Sequence, residues 1–293
     1  MKKASCKKLK ARVSYLTVLL LSVFIIGGAT PQKVSAEPKQ PSFSEVGGMQ
    51  KLSDGVFVST GEYLKVTVGL IVSGDEAAII DTGLNYEGYT PKEALRVKQY
   101  LEENNLKLKK IFITHHHSDH DTNLAMFQTD DTVLYDANNT QDGQIIQFGD
   151  KTLKVVRTNG HFNDEHISFE LIKENILFAG DVVTTCTPTA VSFGGSFKGL
   201  IPTLEMLRTK NYSIIVPGHG DIINSHEAIK MNLEYLKNVE KYVKRAINEG
   251  GTLEDALKIS LDDCMKDTKY LDVEYKDYIH QMNLETAYNE FLN

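Results

Sequence analysis

The sequence predicts an α/β fold in which two sheet layers are covered by helices on their outer faces. Three observations predict it. Short apolar, β-branched runs split by Gly and Asp recur from Lys51 onward. Stretches of helical periodicity interrupt those runs twice. An amphipathic tail follows, of the kind that covers a sheet. The 293 residues are 41% apolar and 24% charged, ordinary for a soluble globular protein.

The first 36 residues stand outside that globule. "MKKASCKKLKAR" is basic with no acid, Val13 to Ala29 is an apolar run, and "KVSAEP" sets Val34 and Ala36 at the small positions of a cleavage site. Basic, then apolar, then small is the order of a bacterial secretory signal peptide. The run is also about as long as the shortest membrane spans, so an uncleaved N-terminal anchor is the alternative. The expected location is secreted or extracytoplasmic, at the bacterial cell envelope. Membrane contact is expected only through an uncleaved signal. Without the leader's seven basic residues the chain keeps 25 basic against 39 acidic, a formal charge of −14. Such a surface repels nucleic acid and suits a small-molecule substrate. Cys186 and Cys264 then remain, and two separate inert thiols are a better expectation than a disulfide.

Residues 37–50, "EPKQPSFSEVGGMQ", are rich in Pro, Gly and Ser and read as a linker. The main domain is expected over 51–225. "GVFVST", "LKVTVGLIVS" and "EAAIIDTG" read as strands joined by tight turns. "TPKEALRVKQYLEENNL" reads as a helix capped by Thr90, with Pro91 in its first turn. "KKIFITH" is a short buried strand that delivers a run of histidines. "TVLYD", "GQIIQFGD", "KTLKVVRTN" and "HISFELIKENILFAGD" read as strands and hairpins, "GLIPTLEMLRTKN" as a helix, and "YSIIVPGHGD" as a strand entering a loop. Residues 226–293 read as a helical extension packed on the same domain. It holds a long helix closed by Gly250 and Gly251, a segment opened by Thr252 with Asp255 as a capping pair, and a last helix in "NLETAYNEFLN".

The chemistry concentrates in "THHHSDH". His115 and His117 lie two apart at a strand end, which puts both side chains on one side. Asp119 and His120 follow where the chain must turn, and His116 should point away. Imidazole and carboxylate at this density suit a metal. Further ligands must come from other strand ends. His161 after Gly160, Asp181 after Gly180 and His219 after Gly218 share one pattern of apolar strand, glycine and ligand-type side chain.

These ordered motifs resemble those of the metallo-β-lactamase superfamily. The resemblance runs from about Val56 to Asp221 and includes "AAIIDTG", with Asp81 at a supporting position. It implies a four-layer αββα sandwich holding two Zn²⁺ per chain, with iron or manganese as alternatives. His115, His117 and His161 would hold one ion, Asp119, His120 and His219 the other, and Asp181 would bridge. The implied activity is hydrolysis. Water shared by two cations loses a proton near neutral pH and attacks a carbonyl, with Asp119 as the catalytic carboxylate that orients it and serves the leaving group. Asp81 would anchor a ligand imidazole, and Thr114 and His166 would support the site by packing or hydrogen bonding. Two departures stand out. Phe162 replaces a threonine common in the family, and "DTN" at 121–123 replaces small residues. Both are expected near the pocket rim.

The leading expectation is a secreted dinuclear zinc hydrolase that opens a cyclic amide or ester, β-lactams first. A lactonase or thioesterase similar to hydroxyacylglutathione hydrolases is the alternative. A non-catalytic extracytoplasmic metal-binding protein is a third reading, disfavoured because storage needs no bridging carboxylate.

Overall fold

The computed structural model describes residues 40–163, 165–266, 268–271 and 275–292. The expected leader, residues 1–36, lies outside them. Among the described residues no helix is long and apolar enough to cross a membrane.

Seven strands form the first sheet in chain order: β1 (Ser44–Val46), β2 (Met49–Ser53), β3 (Val56–Thr60), β4 (Thr67–Ser73), β5 (Glu76–Ile80), β6 (Lys107–Phe112) and β7 (Val133–Tyr135). β1 to β5 pair antiparallel. The β5–β6 and β6–β7 pairs are parallel. Parallel neighbours need crossovers, and helices supply them here: α1 (Lys92–Glu103) before β6, then α2 (Ser118–Asp121) and α3 (Leu124–Phe127) before β7. The second sheet holds β8 (Ile145–Phe148), β9 (Lys151–Arg157), β10 (Ile167–Leu171), β11 (Ile176–Thr184) and β12 (Ile214–His219). Its order is β12-β11-β10-β9-β8, with α4 (Phe197–Arg208) crossing between the parallel pair β11 and β12. The chain ends in α5 (Ser225–Asn248), α6 (Leu253–Ala256), α7 (Leu261–Cys264) and α8 (Lys276–Leu292).

The layers follow from which faces are apolar. Val58, Ile71, Ile80 and Phe112 of the first sheet meet Leu153, Val155, Phe169 and Phe178 of the second in one buried cluster. Phe112 and Phe169 lie 5.0 Å apart, ring to ring. The other face of the first sheet buries Leu70, Ile79 and Ile111 against Ala94, Val97 and Leu101 of α1. The other face of the second sheet buries Leu177, Val183 and Ile215 against Leu204 of α4, Leu236 of α5 and Leu284 of α8. The result is the αββα sandwich.

Three expectations need correction. The stretch 37–50 is not all linker, because residues 44–53 form the β1–β2 hairpin. Gly47 and Gly48, at φ 59° and 72°, build its two-residue turn, so glycines that looked like flexibility serve a hairpin that needs positive φ. Thr90 does not cap α1. Pro91 precedes the helix without a side-chain cap, and the Thr90 carbonyl accepts from Lys92 N–H. The last helix starts at Lys276, seven residues before the expected stretch, so "KDYIHQM" is helical too.

Candidate metal centre

The histidine run sits beyond the end of β6, in the loop 113–117 and in α2. Strand alternation therefore does not align His115 and His117; the loop does. Their ring nitrogens Nε2 and Nδ1 lie 2.9 Å apart. His161 Nε2 stands 3.3 Å from the same His117 Nδ1.

The tautomers can be deduced from what each second nitrogen faces. His161 Nδ1 lies 2.9 Å from the Ala190 carbonyl and His117 Nε2 lies 3.3 Å from the Phe193 carbonyl. A carbonyl only accepts, so both nitrogens carry the proton. Thr114 donates its hydroxyl to the Asp81 carboxylate and accepts from His115 Nδ1 at 3.1 Å. Burial holds His115 well below the ordinary imidazole value, His117 below it and His161 down at about 4. All three rings are neutral. Three lone pairs converge on one point, an arrangement that repels itself until a cation takes it up.

The second set obeys the same logic. His120 Nδ1 meets Asp81 Oδ2 at 3.0 Å, and His219 Nδ1 meets the Leu64 carbonyl at 2.8 Å. Their Nε2 atoms face the carboxylates. His219 Nε2 is 3.1 Å from Asp119 and 3.2 Å from Asp181. Burial opposes charge on His120 and His219, but Asp181 and Asp119 outweigh it and hold both rings well above their usual value. Burial likewise opposes charge on Asp119 and Asp181. His120 and His219 outweigh it, and both carboxyls stay ionised. His120 Nε2 and Asp181 Oδ1 are buried, 3.2 Å apart, without the alignment of a hydrogen bond.

Asp181 belongs to both sets, {His115, His117, His161, Asp181} and {Asp119, His120, Asp181, His219}, each with ligand atoms within 4.8 Å of one another. The seven residues thus fit a pair of ions. The donors, imidazole nitrogen and carboxylate oxygen, suit zinc, and also iron or manganese.

Glycine aims these side chains in two ways. Gly160 and Gly180 adopt positive φ, as a sharp turn requires. Gly218 instead permits close approach, since a Cβ there would stand 1.9 Å from Asp181 Oδ1. Asp181 is not at a strand end. β11 continues to Thr184, and a register shift at Gly180 turns the carboxylate inward.

The supporting residues are fully tied. Asp81 itself is held at φ 58°. His166 Nε2 accepts from Asp181 N–H at 3.1 Å, so its Nδ1 donates to Thr158 at 2.7 Å. His166 positions the backbone of Asp181 and offers no free nitrogen. His116 turns away from the cluster and bonds Asp121 and Asp136.

A cavity of about 530 Å³ opens beside Asp119, Asp181, His117, His161 and His219. Neither departure from the family pattern lines it. Phe162 packs edge-on against His117, 4.5 Å between centroids. In "DTN", Asp121 holds His116, Thr122 takes the Asn85 N–H and Asn123 donates to the Thr82 carbonyl. Thr122 and Asn123 thereby buttress the loop that carries Asp81. The residues that do line the cavity include Tyr63, Tyr86, Phe193, Tyr275 and Tyr278. Sequence reasoning missed them, as it missed the carbonyls of Leu64, Ala190 and Phe193, because a backbone acceptor leaves no mark on residue identity. Asn283 of α8 was missed too. It accepts from Val191 N–H at 2.7 Å and donates to the Thr189 carbonyl at 2.9 Å, clamping both sides of Ala190.

A model of the metallo-β-lactamase superfamily matches residues 62–130 and 124–219. The chain is 31% identical over 162 residues to thioesterase pkgB of Emericella nidulans, covering 53% of this chain and 45% of that protein. It is 26% identical over 178 residues to a hydroxyacylglutathione hydrolase of Prochlorococcus marinus, covering 56% and 69%. The chain spans about half the length of the curated thioesterases it matches. A metallo-β-lactamase family protein of Thermus thermophilus superposes with TM-score 0.63 at 20% identity, over 83% of this chain and 94% of that one.

Proposed function

The chain belongs to the metallo-β-lactamase superfamily, and from that premise we propose a dinuclear zinc hydrolase that cleaves a thioester or ester of a small molecule. The observation that carries this reading is the pair of converging ligand sets sharing Asp181, open to a cavity on one side. His115, His117, His161 and Asp181 would hold one ion and Asp119, His120, His219 and Asp181 the other. When bound, paired cations acidify water and polarise a carbonyl.

The chain's own residues do the rest. Asp119 stands at the cavity wall, where its carboxylate can orient the attacking water and carry its proton to the leaving group. The water oxygen joins the carbonyl carbon, the carbon–sulfur or carbon–oxygen bond breaks, and the thiol or alcohol leaves with the proton. Asp81 and Thr114 keep His120 and His115 in the tautomer that offers Nε2. The thioester preference rests on the relatives named thioesterase and hydroxyacylglutathione hydrolase. The basic, apolar, small-residue N-terminus supports action outside the cytoplasm.

The test is a panel on metal-quantified protein: a thioester, a lactone and a chromogenic β-lactam. Thioester turnover abolished by chelation is expected. Turnover of the β-lactam alone would return the substrate to a cyclic amide. Bound metal with no turnover of any would favour a metal-binding protein.

A further inference from the structure

A substrate cleaved at the ligand cluster would extend into the cavity beside it. The wall away from the ligands is largely aromatic and aliphatic. Tyr63 comes from the loop after β3, Tyr86 from the loop after β5, Phe193 from the loop before α4, Tyr275 from the residue just before α8 and Tyr278 from the first turn of α8. Tyr63 packs edge-on against Tyr275 at 5.6 Å and tilted against Tyr86 at 5.7 Å, so the wall is continuous. Tyr86, Phe193 and Tyr278 are 48%, 51% and 58% exposed. Such large apolar side chains gathered at one opening mark a binding surface.

Charge narrows the occupant. Among the described residues, none of those lining the cavity is a lysine or arginine. Away from the ligand cluster, those described residues hold no charged side chain. Lys65, beside lining residue Leu64, is engaged with Asp221 at 2.9 Å. A carboxylate lodged against the aromatic wall would find no cation, and burying it there is costly. Tyr275 and Tyr278 also lie beyond residue 219, where the family match ends.

Building on the hydrolase reading of the same site, we infer that the cavity takes an uncharged, ring-bearing acyl group. Tyr275 and Tyr278, just before the C-terminal helix and in its first turn, are its specificity-determining residues. The helical extension is therefore part of the substrate site as well as a cover for the sheet.

The test compares hydrocinnamoyl and succinyl thioesters of N-acetylcysteamine on the metal-loaded, full chain. The expected kcat/KM ratio is about 100-fold in favour of hydrocinnamoyl, because the succinyl carboxylate meets the wall without a partner. The double variant Tyr275→Ser, Tyr278→Ser should lower that ratio by about 10-fold, mainly through KM, as buried ring area is lost. A second measurement needs no turnover. Benzylacetone, an uncharged ketone mimic, is titrated by NMR into metal-free native and variant chains, and should bind the native chain about 10-fold more tightly. Succinyl turnover equal to or above hydrocinnamoyl turnover would overturn the inference and spare the hydrolase reading. So would a double variant that leaves both the ratio and ketone affinity unchanged. No turnover of either thioester, with ketone binding that the variant weakens, would sink the thioesterase and support the apolar pocket.

Discussion

At the scale of single residues, the site is a set of imidazoles each committed on one side and open on the other. That division gives Asp119 and Asp81 different expected phenotypes. Asp119→Ala should cut kcat by about 10²–10⁴-fold, while the His115, His117, His161 set keeps its ion. Near-normal turnover in a metal-loaded variant would remove Asp119 from its role. Asp81→Ala leaves His120 Nδ1 and the Thr114 N–H without their acceptor. It should weaken metal at the Asp119, His120, His219 set by about 10–100-fold, read as loss of one of two ions on dialysis. Retention of both would show that Asp81 does not orient His120. Backbone strain gathers at the same place. Leu64, Lys65, Asp81, Phe162 and Asn163 hold positive φ without being glycine, and Leu64 supplies the carbonyl that fixes His219. Strain of that kind persists where the surroundings over-determine it.

At the scale of elements, α8 braces the ligand cluster through Asn283. Asn283→Ala would leave Val191 N–H and the Thr189 carbonyl without their partner in a fully buried position, freeing Ala190 and the His161 ring it holds. Metal affinity of the His161 set should fall by about 10-fold, measured by competition with a chromophoric chelator on protein of unchanged circular dichroism. Unchanged affinity would leave Asn283 a packing residue only. The αββα layering was legible because strand runs and helical periodicities are local signals. The seven candidate ligand positions were legible because four of them crowd into one short run and His161, Asp181 and His219 each follow a glycine. The β1–β2 hairpin was not, since Gly47 and Gly48 look alike in a linker and in a tight turn. Nor was the function of "DTN", because Asp121 and Asn123 act on His116 and Thr82 through contacts that only the folded loop creates. The aromatic wall was illegible for the same reason: Tyr63 and Tyr275 are far apart in sequence and meet only in the tertiary fold.

At the scale of the molecule, two sheets packed face to face hold the strand ends and loops that bring the ligands together. Phe169 is fully buried in their shared core. Phe169→Ala should cost about 3–5 kcal/mol, read from urea unfolding; a loss under about 1 kcal/mol would contradict the tight inter-sheet packing. Cys186 and Cys264 are buried as separate thiols. Burial, then Asp263, pushes the Cys264 thiol from 9.0 up to about 12. Between those values the unfolded chain has lost a proton that the folded chain keeps, so stability falls as pH rises through that window. Cys264→Ala should flatten that part of the profile, and an unchanged slope would deny the shift. All of this serves a site in which two candidate ligand sets share Asp181. The most direct measurement is titration of the metal-free chain with Zn²⁺, following bound metal and thioester hydrolysis together. Two ions per chain, with hydrolysis rising as they load and vanishing on chelation, is the predicted result. Saturation at one ion, or hydrolysis indifferent to the metal, would contradict it.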